Sequence, residues 1–292
     1  MNVTETTPAR PIVLITGATN GLGHWLAVRL AELGAGVIIH GRDPDRLDAT
    51  ARAMQDEGGG RPHGTVLADL ADLSQVDQLA DEVLKEFDTL HVLVNNAGVG
   101  FGPPGAARQL SADGLELRFA VNYLAGYHLT NRLLPLLKRS APARIVNVAS
   151  IGQEPIDFDD PMLEHDYSGI QAYRRSKLAQ IMFTIDLAER LRGTGVTANA
   201  LHPASLMDTA MVREMNFTAL STLDDGGEAT LRLINDPALA EVSGRFYDQT
   251  VDTPPHPQAA DPEARRRLRE LSDTLIAQAL GATQPDRERS PS

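Results

Sequence analysis

The sequence predicts one α/β domain built on a doubly wound parallel sheet flanked by helices. Short runs rich in β-branched residues alternate along the chain with longer amphipathic stretches, which is the pattern of repeated strand–helix units. Most of the short runs are continuously apolar, as expected of strands buried on both faces of a parallel sheet. At 292 residues without a recognisable linker, the chain fits one large domain.

The elements can be placed one after another from these two patterns. The predicted strands share an apolar, β-branched sequence and cover residues 12–16, 36–40, 64–68, 90–95, 144–150 and 196–202. The predicted helices share apolar residues at helical spacing and cover residues 22–33, 44–56, 73–87, 111–139 and 172–192. A charged helix is predicted over residues 261–280.

Four segments fall outside this alternation. Residues 1–10 are predicted to be a flexible N-terminus and residues 281–292 a disordered tail, which leaves residues 11–280 as the single domain. The acidic segment 151–170 and the mixed segment 205–245 each follow a strand. We expect both to be loops that build a ligand pocket, with the second as a candidate lid.

The composition excludes several classes of function. A net charge of −12 is opposite to what a nucleic-acid surface needs, so no nucleic-acid partner is expected. With no cysteine, the chain has no disulfide, thiolate metal site or cysteine nucleophile, and its histidines are not spaced like metal ligands. No segment reaches the roughly 20 apolar residues of a membrane-spanning helix. We therefore expect a cytoplasmic protein with no metal site and no membrane contact.

A glycine-rich loop follows the first predicted strand. Residues 16–23, with the sequence TGATNGLG, lie between a strand and a helix, which is the context required of a dinucleotide-binding loop. Glycines allow a tight turn and the close approach of a pyrophosphate, whose charge suits the N–H groups at a helix start. An ordinary strand-to-helix turn is the alternative. The candidate cofactor contacts in this loop are Gly17, Thr19, Asn20, Gly21, Leu22 and Gly23.

The end of the second strand indicates which dinucleotide is preferred. An acidic residue at this place bonds the ribose 2′-hydroxyl of NAD, but here Gly41 stands there and Arg42 follows. A guanidinium can hold a 2′-phosphate by paired hydrogen bonds. The sequence therefore favours NADP(H) and leaves NAD(H) open. In the alternative interpretation, Arg42 is a solvated loop residue whose charge Asp43 partly cancels.

Four motifs together resemble those of the short-chain dehydrogenase/reductase family, and the resemblance runs from about Ile12 to Asp248. In chain order, they are residues 16–23, Asp69 after the third strand, residues 95–98 (NNAG), and the set Asn122, Ser150, Tyr173 and Lys177. The resemblance implies a Rossmann-type fold and a catalytic role for that set. It also implies cofactor contacts at Asp69, Leu70, Asn96, Ala97, Gly98, Tyr173, Lys177, Pro203 and Thr209.

Several details are similar to the retinol-dehydrogenase-like branch of that family. They are the long spacing from Ser150 to Tyr173 and the segments 156–160, 176–179, 201–203 and 244–247. One departure is Ala204, where the family often has glycine after the proline. Its methyl group is expected to alter the turn beside the nicotinamide.

The chemistry expected of the catalytic set follows from its residue types. Tyr173 and Lys177 are four positions apart on a predicted helix, so their side chains share a face. A free tyrosine has a pKa near 10, and a nearby ammonium favours the phenolate. Tyr173 is the predicted general acid/base, and Ser150, at the end of a strand, is expected to orient the substrate oxygen. The resemblance implies that Lys177 also binds the nicotinamide ribose and that Asn122 supports a water chain to Lys177.

Each of these residues has a plainer interpretation. Tyr173 is then a half-buried aromatic side chain that Lys177 covers. Ser150 simply ends a strand, and Asn122 bonds backbone within a helix. For Asn96, we prefer the structural interpretation, in which it pins neighbouring strands.

The leading hypothesis is an NADP(H)-dependent oxidoreductase that moves a hydride between nicotinamide and a carbonyl or alcohol carbon. A double-bond reductase or an epimerase with the same fold and cofactor is one alternative, and a non-catalytic NADP(H)-sensing regulator is another. The complete Ser–Tyr–Lys set favours carbonyl chemistry, since a sensor needs no such set, whereas the fold alone cannot separate the three.

The two loops and two of the helices indicate the partners. Apolar side chains in the loops predict a pocket for a mid-sized ketone, aldehyde or alcohol, with the candidates Ile156, Phe158, Met162, Leu206, Met207, Met211 and Phe217. The resemblance implies pairing of copies through the helices 111–139 and 172–192 in a homodimer or homotetramer.

Overall fold

An eight-stranded sheet forms the centre of the protein, in a computed structural model that describes residues 10–103, 105–209, 212–213 and 218–282. Its order is β3-β2-β1-β4-β5-β6-β7-β8, and every neighbouring pair is parallel except β7–β8. The strands are β1 (Ile12–Ile15), β2 (Gly36–Gly41), β3 (Gly64–Leu67), β4 (Val92–Asn95), β5 (Ala143–Val148), β6 (Val196–His202), β7 (Phe246–Asp248) and β8 (Val251–Asp252).

Helices cover both faces of the sheet. They are α1 (Gly21–Glu32), α2 (Pro44–Asp56), α3 (Leu73–Glu86), α4 (Ala125–Arg139), α5 (Gly169–Arg190), α6 (Leu223–Asn235), α7 (Pro257–Ala260) and α8 (Pro262–Ala282). A π-helical turn, Phe119–Leu124, leads directly into α4. Helices α1, α2 and α6 pack on one face, and α3, α4, α5 and α8 pack on the other. The predicted fold class, a doubly wound α/β domain with a Rossmann-type sheet, is confirmed.

The strands are buried on both faces because their side chains alternate between the two helix layers. In β1, Leu14 belongs to the core beneath α3, α4 and α5, whereas Val13 and Ile15 belong to the core beneath α1 and α2. All residues of β1 are buried. This two-sided burial explains why the strand sequence is continuously apolar.

The strand order reverses at β1, which pairs with β2 on one side and with β4 on the other. At such a point the connections leave in opposite directions and open a crevice outside the carboxyl ends of the strands, where ligands bind in this class of sheet. The loops after β1, β2, β4 and β5 all lie at this edge. The topology therefore brings together motifs that are far apart in the sequence.

The helix predicted over residues 111–139 begins later than expected. The Ser111 hydroxyl accepts hydrogen bonds from Asp113 N at 3.2 Å and Leu115 N at 3.3 Å, which forms a turn instead of a helix. The Glu116 carboxylate then accepts from Phe119 N at 2.8 Å, where the π-helical turn starts. The Ser111 side chain thus competes for backbone N–H groups, and the helix begins further along the chain than predicted.

The second predicted pocket loop contains the helix α6. Thr222 begins it with a capping box, in which the Thr222 side chain accepts from Asp225 N and the Asp225 carboxylate accepts from Thr222 N. The helix packs against α1, where Trp25 Nε1 donates to Asp224 Oδ1 at 2.7 Å. Gly227 weakens the local helix signal but permits this packing, since a Cβ there would lie 2.3 Å from the Trp25 ring.

The C-terminal helix α8 lies against α5 and α3. It continues to Ala282 and so enters the segment predicted to be a disordered tail. The predictions for residues 1–9 and 283–292 lie outside the described residues. Over the described part of the chain, no helix is long and apolar enough to cross a membrane.

Candidate active site

The glycine-rich loop after β1 has a backbone that only glycine suits. Gly17 has a φ of +65°, and a Cβ there would lie 2.9 Å from Ala97 Cα. At Gly23 a Cβ would lie 2.2 Å from Gly17 O, because α1 starts directly against the turn. The loop and the first turn of α1 are therefore too close together for side chains at these positions.

The start of α1 offers N–H groups at the carboxyl edge of the sheet. The Asn20 side chain accepts a hydrogen bond from Gly21 N at 2.8 Å and caps the helix. The next N–H groups, on Leu22 and Gly23, have no intrahelical carbonyl to bond, and the helix dipole adds partial positive charge there. Thr209 lies nearby, since its Cγ2 atom would be 3.0 Å from a Cβ on Gly21. The arrangement suits a phosphate.

Asn96 joins the ends of β1 and β4. Its Nδ2 atom donates to Thr16 O at 2.9 Å and to Gly17 O at 3.1 Å, and its backbone N donates to Thr16 Oγ1 at 3.0 Å. Ala97 N donates to the same hydroxyl at 3.1 Å. These bonds correspond to the structural interpretation of Asn96, in which it holds the glycine loop against β4.

His40, at the end of β2, holds the same loop from the other side, and no sequence motif marks it. Gly17 N donates to His40 Nδ1 at 3.1 Å, and His40 Nε2 bonds Ala68 O at 3.0 Å. Since Nδ1 accepts, Nε2 carries the proton. Burial lowers the pKa of His40 to about 4, so the ring is neutral. The sequence signal is a histidine inside an otherwise apolar strand.

Arg42 follows β2 and is exposed. The carboxylate of the next residue, Asp43, caps α2, where it accepts from Asp45 N at 3.0 Å and Arg46 N at 3.2 Å. It also lies 3.6 Å from the Arg46 guanidinium. Asp43 is thus engaged with α2, and no carboxylate among the described residues forms an ion pair with Arg42. Its charge is available to an anion at this edge of the crevice.

Asp69 and Leu70 form the end of the connection that follows β3. Asp69 N donates to Gln75 Oε1 at 2.9 Å, and Asp69 Oδ1 accepts from Ala71 N at 2.9 Å. Leu70 is buried against α3. Both residues are therefore fixed immediately after Ala68, whose carbonyl bonds His40.

Lys177 lies on α5 with its ammonium group buried. Its Nζ atom donates to Val148 O and to Gln180 Oε1, both at 2.9 Å. Burial lowers the pKa of Lys177 to about 7. The side chain therefore links α5 to the end of β5 and titrates near neutral pH.

Tyr173 lies beside Ser150, Phe101 and Lys177. The Lys177 Nζ atom is 5.7 Å from the ring centre, and the Phe101 ring packs edge-on with its centre 5.8 Å away. Desolvation raises the pKa of Tyr173, and a hydrogen bond with the Ser150 hydroxyl opposes the rise. Lys177 directs its own hydrogen bonds to Val148 O and Gln180 Oε1. The lowering of the Tyr173 pKa that a charged lysine and a bound nicotinamide would produce stays a prediction.

Ser150 lies two positions after the end of β5. It is buried, and its Oγ atom accepts from Gly152 N at 3.1 Å. Because the hydroxyl oxygen accepts this bond, its hydrogen is directed elsewhere. The Ser150 hydroxyl also forms a hydrogen bond with Tyr173, so the end of β5 and α5 bring these two side chains together.

Asn122 lies in the π-helical turn before α4. Its Oδ1 atom accepts from Val99 N at 2.7 Å, and its Nδ2 atom donates to Val99 O at 3.1 Å and Ser176 Oγ at 3.0 Å. A Cβ on Gly98 would lie 3.2 Å from Asn122 Oδ1 and 3.7 Å from Lys177 Nζ, so Gly98 lies between the two side chains. Asn122 therefore ties the loop after β4 to α5 beside Lys177.

The segment 151–170 differs from a free pocket loop. Ile156 and Met162, which are expected from the sequence to line a pocket, are buried in the core because the segment folds back under α8. The apolar side chains exposed next to the catalytic set are Ile151 and Ile170, at 47% and 44%. Sequence inspection missed these two residues because each is a single apolar position.

The acidic residues of the same segment bond backbone. Asp160 accepts from Glu164 N at 2.8 Å and His165 N at 3.2 Å, and Asp157 accepts from Asp159 N at 3.0 Å. Within residues 10–103, 105–209, 212–213 and 218–282, no group of three or more histidines and acids is placed to hold a metal ion.

The remaining predicted pocket residues lie in the segment after β6. Pro203 directly follows the strand, and the side chain of Met207 packs in the core beneath α1 and α6. Ala204 is buried. Met211 and Phe217 lie outside the described residues, so the pocket prediction stays a prediction there.

The sequence is similar to that of a known enzyme family and of several named proteins. Residues 11–219 match the family model of the short chain dehydrogenases. Mouse (Mus musculus) retinol dehydrogenase 14 is 38% identical over 289 residues, covering 90% of this chain and 85% of its own. Human (Homo sapiens) retinol dehydrogenase 13 is 34% identical over 281 residues, covering 90% and 84%.

Solved structures are similar over most of the chain. An uncharacterised protein from Mycobacterium paratuberculosis has a TM-score of 0.73 at 31% identity, covering 92% of this chain and 94% of its own. The 3-ketoacyl-(acyl-carrier-protein) reductase from Brucella melitensis, complexed with NADH, has a TM-score of 0.66 at 26% identity, covering 82% and 98%. A short chain dehydrogenase structure from Escherichia coli CFT073, complexed with NADPH, has a TM-score of 0.68 at 26% identity, covering 82% and 96%.

The matched family model covers the glycine loop, the NNAG segment and the whole Ser–Tyr–Lys set. The relatives extend the match through α6 and into the C-terminal part of the chain. The chain therefore belongs to the short-chain dehydrogenase/reductase family, in its retinol-dehydrogenase-like branch, and is an oxidoreductase of CH–OH and C=O groups.

Proposed function

We propose that the protein is an NADP(H)-dependent carbonyl reductase or alcohol dehydrogenase. The observation that carries this proposal is the grouping of Ser150, Tyr173 and Lys177 at the carboxyl edge of the sheet, with Lys177 Nζ 5.7 Å from the Tyr173 ring centre. When bound, the nicotinamide supplies the hydride in reduction and accepts it in oxidation.

Tyr173 is the general acid/base of this reaction. It donates its phenolic proton to the substrate oxygen in reduction and takes a proton from it in oxidation. The Ser150 hydroxyl donates a hydrogen bond to the same oxygen and stabilises the charge that develops on it. Lys177, when charged, favours the phenolate and counteracts the desolvation of Tyr173. Its N–H groups would also bind the ribose hydroxyls of the bound dinucleotide.

The preference for NADP(H) is supported by Arg42. Its guanidinium is exposed at the end of β2, and the neighbouring carboxylate of Asp43 is engaged as the cap of α2. The glycine loop and the N–H groups of Leu22 and Gly23 would hold the pyrophosphate. Asp69 and Leu70 would contact the adenine end. The two similar structures that contain NADH and NADPH support a nicotinamide dinucleotide in either form.

We further propose a mid-sized apolar aldehyde, ketone or alcohol as the substrate class. Exposed Ile151 and Ile170 lie one and three positions from Ser150 and Tyr173, and the Phe101 ring packs on Tyr173. The relatives named retinol dehydrogenases support the same substrate class.

The test is NADPH oxidation with a panel of aldehydes and ketones by the wild type, Tyr173→Phe and Tyr247→Phe. Tyr173→Phe removes the proton donor, and we expect a loss of about 10²–10⁴ in kcat in a variant that still binds NADPH. Tyr247→Phe, on β7, is the matched control and should keep wild-type turnover. Equal turnover by Tyr173→Phe, or no turnover by the wild type despite nucleotide binding, would reject the proposal.

A further inference from the structure

The side chain of Gln258 pairs with both backbone polar groups of Ile156. Ile156 N donates to Gln258 Oε1 at 2.7 Å, and Gln258 Nε2 donates to Ile156 O at 2.9 Å. The Ile156 side chain is 4% exposed, so this backbone has little access to water as an alternative partner. The Gln258 amide thus satisfies both backbone groups of Ile156, as the backbone of a neighbouring strand satisfies a residue in a sheet.

Two further contacts join the same segments. His256 N donates to Gln153 Oε1 at 2.7 Å, and His256 Nδ1 accepts from Gln258 N at 3.2 Å, which caps α7 and orients Gln258. The Arg267 guanidinium lies 4.6 Å from the centre of the Phe158 ring. The residues 153–158 are therefore attached at three points to the segment 256–267.

The helix α8, which continues this segment, is fastened to the helices behind the active site. Tyr123 and Ser272 share a hydrogen bond of 2.7 Å between their hydroxyls, and Tyr127 donates to Asp273 Oδ1 at 2.6 Å. Arg269 forms an ion pair with Asp186 of α5. The same helix α5 carries Tyr173 and Lys177. Residues 153–158 are therefore connected to α5 through α7 and α8.

The attached residues lie next to the reacting groups. Gln153 is three positions and Ile156 six positions after Ser150. Gln171 Nε2, two positions before Tyr173, donates to Glu154 Oε1 of the same loop at 2.8 Å. A shift of the loop backbone at Ile156 would therefore be passed to Gln153 and Glu154, which lie close in sequence to Ser150 and in contact with the helix of Tyr173.

We propose that Gln258 is a positioning residue that sets the conformation of residues 151–158 and thereby the affinity for the carbonyl substrate. The proposal rests on the function proposed above, because it assumes that this loop forms the wall of the substrate site. Glutamine is required since only a side-chain amide donates and accepts at the end of a two-methylene stem. Glutamate keeps the acceptor and lacks the donor, and methionine keeps the shape and lacks both.

The test compares the full-length wild type with Gln258→Met, Gln258→Glu and the control Gln278→Met. Gln278 is exposed on α8, so its replacement tests the substitution itself. We measure kcat and KM for the aldehyde with the highest turnover, Kd for NADPH, and hydrogen exchange of peptides covering residues 151–158. For both Gln258 variants we expect faster exchange in these peptides and a KM raised about tenfold, which corresponds to one or two lost hydrogen bonds. NADPH affinity should stay at the wild-type value.

Unchanged exchange in residues 151–158 would overturn the proposal, as would faster exchange with an unchanged KM. An equal loss of NADPH affinity in a folded variant would also overturn it, because Gln258 would then support the whole site and not the substrate side alone. Gln258→Glu keeps the hydrogen bond from Ile156 N. If Gln258→Met does not fold, the hydrogen exchange and KM of Gln258→Glu decide whether the proposal stands. A wild type that binds NADPH and exchanges slowly here but turns over no carbonyl compound would instead reject the proposed function.

Discussion

The ammonium nitrogen of Lys177 lies 5.7 Å from the centre of the Tyr173 ring and donates hydrogen bonds to Val148 O and Gln180 Oε1. The lysine is therefore held by the protein backbone and by a second residue of its own helix. None of the carboxylates in the described part of the chain forms an ion pair with it. Burial without a counter-charge lowers the pKa of Lys177 to about 7.

This lowered pKa predicts a specific dependence of stability on pH. Between pH 7 and 10.5 the unfolded chain binds the Lys177 proton and the folded chain does not, so the free energy of unfolding rises with pH. From pH 7 to 9.5 the rise from this group is about 3 kcal/mol. Urea unfolding at both pH values should show this rise in the wild type and in the exposed control Lys138→Met, and should lack it in Lys177→Met. A rise of equal size in Lys177→Met contradicts the assignment.

His40 predicts a trend of the same sign in the acidic range, where stability also rises with pH. Its folded-state pKa of about 4 lies below the ordinary value of 6.5, so as the pH falls from 6.5 the unfolded chain takes up a proton first and stability is lost. Between pH 7 and 4.5 this loss is about 2 kcal/mol. We expect the stability difference between wild type and His40→Asn to narrow by that amount over the same interval. The exposed His63→Asn is the control for the loss of one histidine side chain.

Gly23→Ala tests the contact between the glycine loop and α1. The added methyl group would lie 2.2 Å from Gly17 O, so the loop or the helix has to move. We expect a loss of about 1–3 kcal/mol in the free energy of unfolding and weaker NADPH binding. Gly281→Ala is the control, because no atom of the residues that the structure describes lies within 4 Å of its Cβ position. Wild-type NADPH affinity in Gly23→Ala would show that this turn does not hold the pyrophosphate.

Arg42→Ala tests the choice between the two dinucleotides. Loss of a charged hydrogen bond of about 1.5–3 kcal/mol should weaken NADPH binding roughly 10- to 100-fold and leave NADH binding unchanged. Nicotinamide fluorescence during titration measures both constants. Arg52→Ala, an exposed arginine on α2, controls for the loss of one positive charge. Tighter NADH than NADPH binding by the wild type would refute the proposed preference.

The face of α4 and α5, for which the sequence predicts pairing of copies, carries α8 in this chain. Tyr127 of α4 bonds Asp273, and Asp186 of α5 pairs with Arg269. The homodimer or homotetramer stays a prediction, and α8 occupies part of the surface of these helices. Light scattering of the purified protein measures the number of copies directly.

Local patterns made much of the fold predictable. The strands β1, β2 and β6 are recognisable because two-sided burial makes their sequences continuously apolar. Helix α6 was missed, since its glycines lower the local propensity and its packing on Trp25 is a tertiary effect.

By itself, the sequence determined the strand–helix alternation, the glycine loop and the placement of Tyr173 and Lys177 on one helix face, because each depends on residues within a few positions of one another. The tertiary structure alone decided the rest. Gln258 meets Ile156 across 102 positions, and His40 meets Ala68 across 28. The pKa values of His40 and Lys177 depend on burial, which arises only when distant segments pack together and exclude water.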